Sequence, residues 1–422
     1  MKQNKLSRRK FIKESIGKSL ALGSVSSIKP MKNFYVSRMS VEEKNLEVKE
    51  YRDLGITGFK VSDIGYGANA VYDPSVLAYA IDLGINFIDT GSRYANGNAI
   101  KTVGRGIKGR RDKVWISDKF IGFSKYPDLK SAEFKEWLTK GLEDDLKSLQ
   151  TDHIDSILMH NVDEKMYDRK DEVYEVFEKA KAQGKVRFFG MSGHHADFEP
   201  IVEKALKTKQ FSFIMPRFNF LLDEKKKEVY KKAYKNGVAV IGMKTLTGLF
   251  ELDKKKWEKL NEGEKTVGRN NEFTVAFTQA ALKYVLSYPY INIAVLSIKS
   301  FDHVKAYLLM SGMRMGRNDW KILKEYEKMV YNIYCRLDCN CCHSACPYDV
   351  PISDILRYRM YFENYHFERL GIEEYARIDP DSRGDKCFRC DAPCMEKCPY
   401  GLNIKERVSQ AHEMLSIQTN HC

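Results

Sequence analysis

Cysteine is absent from the first 334 residues of this 422-residue chain, and all ten cysteines lie at or after Cys335. This absence excludes a disulfide framework spread through the fold, and thiols confined to one end are typical of a cofactor-binding module. Residues 1–32 lack acidic side chains apart from Glu14, so their nine Lys and Arg carry +8 of the net charge of +13. The remaining +5 is spread over a long chain, and we therefore expect no nucleic-acid partner.

The basic N-terminal segment contains the run SRRKFIK at residues 7–13. This run resembles a twin-arginine signal, which implies that the folded protein is exported to the periplasm. Residues 15–28, which follow it, are mildly apolar but too short and too polar to span a membrane, so we expect no stable membrane insertion. The alternative is an ordinary basic N-terminus on a cytoplasmic protein.

Short apolar runs alternate with amphipathic, helix-like segments between residues 49 and 296. The runs have the length of strands, and short joins connect eight strand–helix pairs. This alternation predicts an α/β fold, a (β/α)8 TIM barrel over residues 48–315 that begins with a capping hairpin. Residues 316–334 are predicted to form a connecting helix, and residues 335–415 a small, mostly helical, cysteine-rich domain.

Three predicted strands end on side chains suited to proton transfer. They lead to Asp89, Lys119 and His160, and Tyr94 follows Asp89 after a Gly/Ser turn. Because the strand C-termini of a TIM barrel carry its active site, we expect the four side chains to converge there. A phenol has an ordinary pKa of about 10, and we expect the Lys119 ammonium to lower the pKa of Tyr94. Asp89 would hold Lys119 in place, and His160 would polarise a carbonyl oxygen.

With these four residues, the segment 50–312 resembles an aldo-keto reductase. The resemblance implies a nicotinamide-dependent barrel that exchanges hydride with a small carbonyl or alcohol substrate, using Asp89, Tyr94, Lys119 and His160 as catalytic residues. The NAD(P) contacts that it implies are Gly67, Ala68, Ser192, Met243, Lys244, Thr245, Leu246, Gly248, Ser297, Lys299 and Ser300.

Three positions depart from the pattern of that family. Gly193 stands where an Asn is usual, Met215 where a Gln is common, and Met243 where an aromatic ring normally stacks on the nicotinamide. A thioether can still pack against a ring face. No Arg marks a site for a 2′-phosphate, so the choice between NAD and NADP stays open.

Two other motifs suggest sites that we do not expect to exist. Residues 104–109 spell G-x-G-x-x-G, but the run closes a predicted helix instead of opening one after a strand, so a dinucleotide fingerprint is not expected. His194 and His195 could suggest a metal site, and we expect exposed loop histidines instead.

The cysteines form two similar runs, each closed by Cys-Pro. Together they resemble the two-motif bacterial ferredoxin module, which implies two [4Fe–4S] clusters, with the last Cys of each run bound to the other cluster. A single cluster, or zinc, is the alternative. The proposed ligands are Cys335, Cys339, Cys342 and Cys346 in the first run, and Cys387, Cys390, Cys394 and Cys398 in the second.

These observations predict an exported aldo-keto-reductase-like oxidoreductase whose iron–sulfur clusters relay electrons, with a redox protein as a possible partner. One alternative is a cytoplasmic NAD(P)H carbonyl reductase with structural clusters. Another is a non-catalytic electron-transfer or binding protein on a barrel scaffold. The loops at residues 121–130 and 251–271, which we expect to select the substrate, carry no recognisable motif.

Overall fold

The structure is a computed structural model that describes residues 46–120, 129–194, 197–246, 272–336, 339–365 and 367–416. The predicted leader lies outside these residues, as do His195, Gly248, Cys422 and most of the two predicted substrate loops. No helix in the described part of the chain is long and apolar enough to cross a membrane.

Eight parallel strands close into a barrel in which each strand pairs with the next one along the chain and the last pairs with the first. An antiparallel hairpin of two further strands precedes them. The predicted α/β barrel with its capping hairpin is therefore confirmed. The strands are β1 Tyr51–Asp53, β2 Lys60–Ser62, β3 Ile64–Gly67, β4 Phe87–Asp89, β5 Trp115–Phe120, β6 Ile154–Met159, β7 Val186–Gly193, β8 Phe213–Pro216, β9 Ala239–Gly242 and β10 Ile293–Ser297.

Helices alternate with the barrel strands, as the sequence pattern predicted. The first begins after Asp73, which caps it by accepting a hydrogen bond from the Ser75 amide at 2.9 Å, and Gly84 follows its end with a left-handed backbone. The helices of the barrel region are Pro74–Asp82, Asn98–Gly106, Ser131–Leu149, Glu164–Asp168, Lys170–Ala182, Phe198–Thr208, Glu224–Lys235, Glu272–Leu286 and Phe301–Leu308. The helix Arg317–Val330 then leads out of the barrel.

The hairpin closes the N-terminal end of the barrel. Leu54 and Val61 are completely buried and pack with residues at the starts of several barrel strands. Phe59 adds a ring contact at 5.3 Å from Trp115, whose indole N–H donates to Ser156 Oγ at 2.8 Å. With this end filled by apolar side chains, the opposite end, where the strands finish, is left for a functional site.

The G-x-G-x-x-G run at residues 104–109 serves helix packing. Gly104 lies within the helix Asn98–Gly106, and a Cβ there would come within 2.7 Å of the Leu149 carbonyl oxygen. Glycine thus allows two helices to approach closely, and the run does not open a helix as a dinucleotide fingerprint does.

The cysteine-rich region has a hydrophobic core of its own. The helices Ile352–Glu363, Glu368–Ala376 and Ile404–Leu415 surround it. Ile355 and Val408 are completely buried in this core, together with Cys387 and Cys394, which are almost completely buried. The prediction of a small, mostly helical, cysteine-rich region is therefore confirmed. We call residues 335–416 the C-terminal module.

Candidate active site

A buried ion pair joins the ends of two adjacent barrel strands. Asp89 ends β4, and Lys119 lies near the end of β5, which pairs with β4 in parallel. The Lys119 ammonium donates to Asp89 Oδ1, and also to the Thr90 carbonyl oxygen at 3.1 Å. The two side chains are 3% and 8% exposed, so each charge has the other as its main compensation. Burial alone would lower the pKa of Lys119, but Asp89 raises it well above its ordinary value.

Tyr94 lies beside this pair. It begins a tight turn in which Ala95 and Asn96 adopt left-handed backbone angles, and its ring centroid is 5.0 Å from Lys119 Nζ. Burial raises the pKa of Tyr94, and the opposing effect of Lys119 does not fully offset it. Lys119 thus has the expected lowering effect, but the pKa of Tyr94 as a whole rises, because the sequence-based expectation took no account of burial. Tyr94 is protonated at neutral pH and can donate a proton.

His160 follows β6 and completes the group. Its ring lies edge-on to the ring of Tyr94, with a centroid separation of 6.2 Å. Burial, and then the positive charges of Lys119, Arg93 and Lys244, lower the pKa of His160 to about 3. The imidazole is therefore neutral at physiological pH, so it can donate one hydrogen bond and accept another.

Two further carboxyl groups lie behind the ion pair. Asp118 and Asp145 are 0% and 4% exposed, and Ser92 Oγ donates to Asp145 at 3.2 Å. Burial and the neighbouring Asp118 raise the pKa of Asp145 to about 10, and burial raises the pKa of Asp118 to about 6. Asp145 is thus protonated at neutral pH, so the buried Asp118–Asp145 pair does not carry two full negative charges. No sequence motif had indicated this pair.

The residues proposed to contact the nicotinamide end of a cofactor lie on β7 and after β9. Ser192 Oγ accepts from the Asn161 amide at 3.2 Å and donates to the Met159 carbonyl oxygen at 3.3 Å. Its hydroxyl therefore also fixes the loop after His160. Met243 and Lys244 follow β9, where Lys244 has a left-handed backbone, and Leu246 lies two residues further on. Thr245 is buried, and its hydroxyl has no partner among the described residues.

The second proposed set of cofactor contacts lies on the neighbouring strands β10 and β3. Ser297 pairs with Gly67, and its hydroxyl donates to Asn69 Oδ1 at 2.6 Å. Ala68, next to Gly67, is completely buried. Ser300 caps the helix Phe301–Leu308, with Lys299 just before it. Both proposed sets thus lie at the C-terminal end of the barrel, as a ligand spanning adjacent strands requires.

A family model described as "Aldo/keto reductase family" matches residues 67–328 of the chain, which is more than half of its length. The chain belongs to the aldo/keto reductase family. It is an oxidoreductase of the aldo-keto reductase type.

Individual relatives agree with this assignment over the barrel. An uncharacterized oxidoreductase, YqkF of Bacillus subtilis, is 23% identical over 304 residues, covering 66% of this chain and 96% of its own length. L-galactose dehydrogenase of Arabidopsis thaliana is 31% identical over 156 residues, covering 34% of this chain and 48% of its own length. The structure of aldo-keto reductase AKR11C1 from Bacillus halodurans has a TM-score of 0.51 at 23% identity, covering 66% of this chain and 96% of that one.

The C-terminal module packs onto the mouth of the aldo-keto reductase barrel. Arg93, next to Tyr94, forms ion pairs with Glu373 at 3.4 Å and Glu374 at 3.7 Å. Two more contacts come from the helix Ile352–Glu363. Sequence reasoning gave no indication of any of these contacts, because no local pattern distinguishes them.

One helix of the module supplies two side chains to the barrel mouth. Arg357 Nη1 lies 2.9 Å from His194 Nδ1, just after β7. Lys244 donates to the Tyr361 hydroxyl at 3.3 Å and lies 5.1 Å from the centroid of that ring. His194 is half-buried, so the expectation of an exposed loop histidine is wrong for this residue.

Eight of the nine cysteines described in the module fall into two groups of four, and each group takes its fourth member from the other run. One cavity is lined by Cys335, Cys339 and Cys342 of the first run, together with Cys398, the last cysteine of the second. The pKa of Cys387 is raised to about 12 by burial and then by the neighbouring Cys346, Cys394 and Cys390. Cys346 of the first run therefore lies near the second group. Cys341 is exposed, with its Sγ 3.1 Å from that of Cys339.

The spacing of the thiols bears on the kind of metal that they could hold. Within the described ranges, no three His, Cys, Asp or Glu side chains lie close enough together to hold a single metal ion. Four cysteines around one cavity instead form a donor set that suits a larger, thiolate-bound group such as an iron–sulfur cluster.

The buried ion pair makes a prediction about stability. Replacing Asp89 by Asn leaves the Lys119 ammonium buried without a counter-charge, so we expect the free energy of unfolding in urea to fall by about 3–5 kcal/mol. The matched control is Asp53→Asn, because Asp53 pairs with Lys60 at 2.9 Å with both side chains mostly exposed. That change should cost less than about 1 kcal/mol. Equal losses in the two variants would contradict the role of Asp89.

Proposed function

We propose that the protein reduces a carbonyl compound, or oxidises the corresponding alcohol, at Tyr94 with a bound NAD(P). The observation that carries the proposal is the protonated Tyr94 between a charged Lys119 and a neutral His160 at the barrel mouth. When bound, the nicotinamide would donate hydride to the carbonyl carbon or accept it from the alcohol carbon. Ser192, Met243 and Thr245 are positioned to hold one end of the cofactor, and Ser297 and Ser300 the other.

The protein's own residues supply the proton and orient the carbonyl. His160, as a neutral imidazole, donates a hydrogen bond to the carbonyl oxygen and holds it near the Tyr94 hydroxyl. As the carbonyl double bond becomes an alkoxide, the oxygen takes the Tyr94 proton. Lys119 stabilises the resulting phenolate, and Asp89 keeps Lys119 charged throughout. The high pKa of Tyr94 in the resting site keeps the proton available for reduction.

The cysteine groups extend this proposal to electron transfer. The donor sets fit two [4Fe–4S] clusters, one held by Cys335, Cys339, Cys342 and Cys398 and the other by Cys346, Cys387, Cys390 and Cys394. When bound, the clusters would supply one-electron transfer between the barrel and a redox protein partner. The closeness of the first cysteine group to the barrel supports this connection. Burial raises the pKa of Cys335, and Arg217, just after β8, lies near enough to that thiol to oppose the effect.

The proton-transfer role is tested by Tyr94→Phe, which removes only the hydroxyl. We expect NADPH-dependent reduction of a small aldehyde to fall by about 10²- to 10⁴-fold in kcat, while NADPH binding by fluorescence is unchanged. Tyr72→Phe is the control, because Tyr72 is 69% exposed. Undiminished turnover in Tyr94→Phe would overturn the proposal and would favour a barrel that has lost catalysis.

The metal assignment is tested by comparing two cysteine variants after anaerobic purification. We expect Cys398→Ser to lose about half of the bound iron and sulfide, because it removes one ligand of a single cluster. Cys341→Ser should keep the full content, since Cys341 is exposed and does not line the cavity. Zinc in place of iron, or equal losses in both variants, would contradict the assignment.

We also propose export by the twin-arginine route, supported by the run at residues 7–13. Proteins that use this route fold before export, so metal-binding thiols can be loaded in the reducing cytoplasm. Changing Arg8 and Arg9 together to Lys should retain the protein in the cytoplasm, as measured by fractionation. The control, Lys2 and Lys5 both changed to Arg, should leave its distribution unaltered. A cytoplasmic wild-type protein would contradict export.

A further inference from the structure

Lys244 lies in an unusual electrostatic setting between the barrel and the C-terminal module. Its ammonium is half-buried and donates to the Tyr361 hydroxyl, a neutral partner. Among the described residues, no carboxylate forms an ion pair with it. Burial and then the positive charges of Arg357 and Arg217 lower its pKa well below the ordinary value. A cation surrounded in this way is unfavourable unless a negative charge joins it.

Arg357 brings a second cation to the same place. It is 2% exposed, and its guanidinium contacts His194 Nδ1 at 2.9 Å and Asp354 Oδ1 at 2.8 Å. Its Nε, although buried, has no hydrogen-bond partner among the described residues. Arg357 and Tyr361 are one helical turn apart, so the helix Ile352–Glu363 presents both to the same region of the barrel mouth.

Two other cations of the mouth are already compensated. Lys119 is paired with Asp89, and Arg93 is paired with two glutamates of the module. Asp354 pairs with Arg357 but leaves Lys244 without a carboxylate. The mouth therefore carries an excess of positive charge, and Lys244 is close enough to His160 to lower its pKa. An anion bound by Lys244 would thus lie near the reacting carbonyl.

We propose that Lys244 and Arg357 form an oxyanion site, and that it holds the carboxylate of the substrate. This inference rests on the proposed function and deepens it: the substrate class is a carbonyl compound that carries a carboxylate near the carbonyl carbon. The site is shared, because the barrel provides Lys244 and the module provides Arg357. A guanidinium favours a planar carboxylate by geometry as well as by charge. The C-terminal module then determines substrate specificity besides carrying the cysteines.

Lys244 is also one of the NAD(P) contacts that the resemblance implies, so a phosphate of the nucleotide could offer the same oxyanion chemistry. Arg357 is not one of those contacts, and the position of the site near His160 favours the substrate. Lys244 influences the catalytic His160 directly, whereas Ser297 and Ser300, the contacts proposed for the other end of the cofactor, lie on β10 and after it. The experiment therefore measures binding of a carboxylate and of NADPH separately.

The test uses the full-length, anaerobically purified protein, with oxalate as an unreactive carboxylate probe in calorimetry. We expect Arg357→Gln to raise the Kd of oxalate for the NADPH complex at least tenfold, with the Kd of NADPH unchanged, because Arg357 is not among the proposed NAD(P) contacts. Lys244→Met, measured at saturating NADPH, should also raise the Kd of oxalate at least tenfold. Arg359→Gln is the matched control: Arg359 lies on the same helix but pairs with Glu363 and Gln410, and its variant should bind oxalate normally. Lys244→Met keeps the test valid if Arg357→Gln fails to fold.

A kinetic measurement distinguishes a failure of this inference from a failure of the proposed function. We expect the preference in kcat/KM for pyruvate over methyl pyruvate to fall at least tenfold in Lys244→Met, with methyl pyruvate turnover reduced less. Unchanged oxalate binding in both variants, or weakened NADPH binding with oxalate binding intact, would overturn the oxyanion site. Full activity in Tyr94→Phe would instead overturn the proposed function, whatever the oxalate result.

Discussion

The ion pair between Lys119 and Asp89 is the interaction on which the rest of the site depends. Neither charge is stable alone in a dry barrel interior, and neighbouring parallel strands bring the two together at their ends. With Lys119 held charged, a phenolate on Tyr94 becomes accessible during reaction although burial keeps the resting phenol protonated. The same positive charge helps to keep His160 neutral. The pair therefore acts on the pKa of both neighbouring groups, although burial has the larger effect on each.

The C-terminal module changes the charge pattern of the barrel mouth. The barrel alone would present Lys244, Arg93 and His160 to whatever reaches the strand ends. The module compensates Arg93 with two glutamates and adds Arg357 beside Lys244, so the charge pattern at the mouth belongs to both parts of the chain. Cys335 lies near Arg217, which places the first cysteine group close to the same mouth. On our proposals, the module that would hold the clusters and the surface that would select the substrate are thus the same structural element.

Much of the fold and the four central residues could be predicted from sequence, because both follow from local patterns. Strand-length apolar runs alternating with amphipathic helices specify a barrel, and polar residues at the strand ends specify where Asp89, Lys119 and His160 lie. The net pKa of Tyr94 could not be predicted, because it depends on burial by distant parts of the chain. Arg357, Tyr361 and the Asp118–Asp145 pair were also missed, because their partners lie far away in sequence and no spacing marks them.

The contacts between barrel and module also set an order of events during synthesis on the ribosome. Every barrel strand is complete once Ser297 has been made, yet Arg357 and the glutamates that face Arg93 emerge more than fifty residues later. A nascent chain therefore passes through a stage in which the sequence of every barrel strand has been made but Arg93 still lacks its two glutamate partners. The charge pattern of the mouth is thus completed only after residues 357–374 have been made.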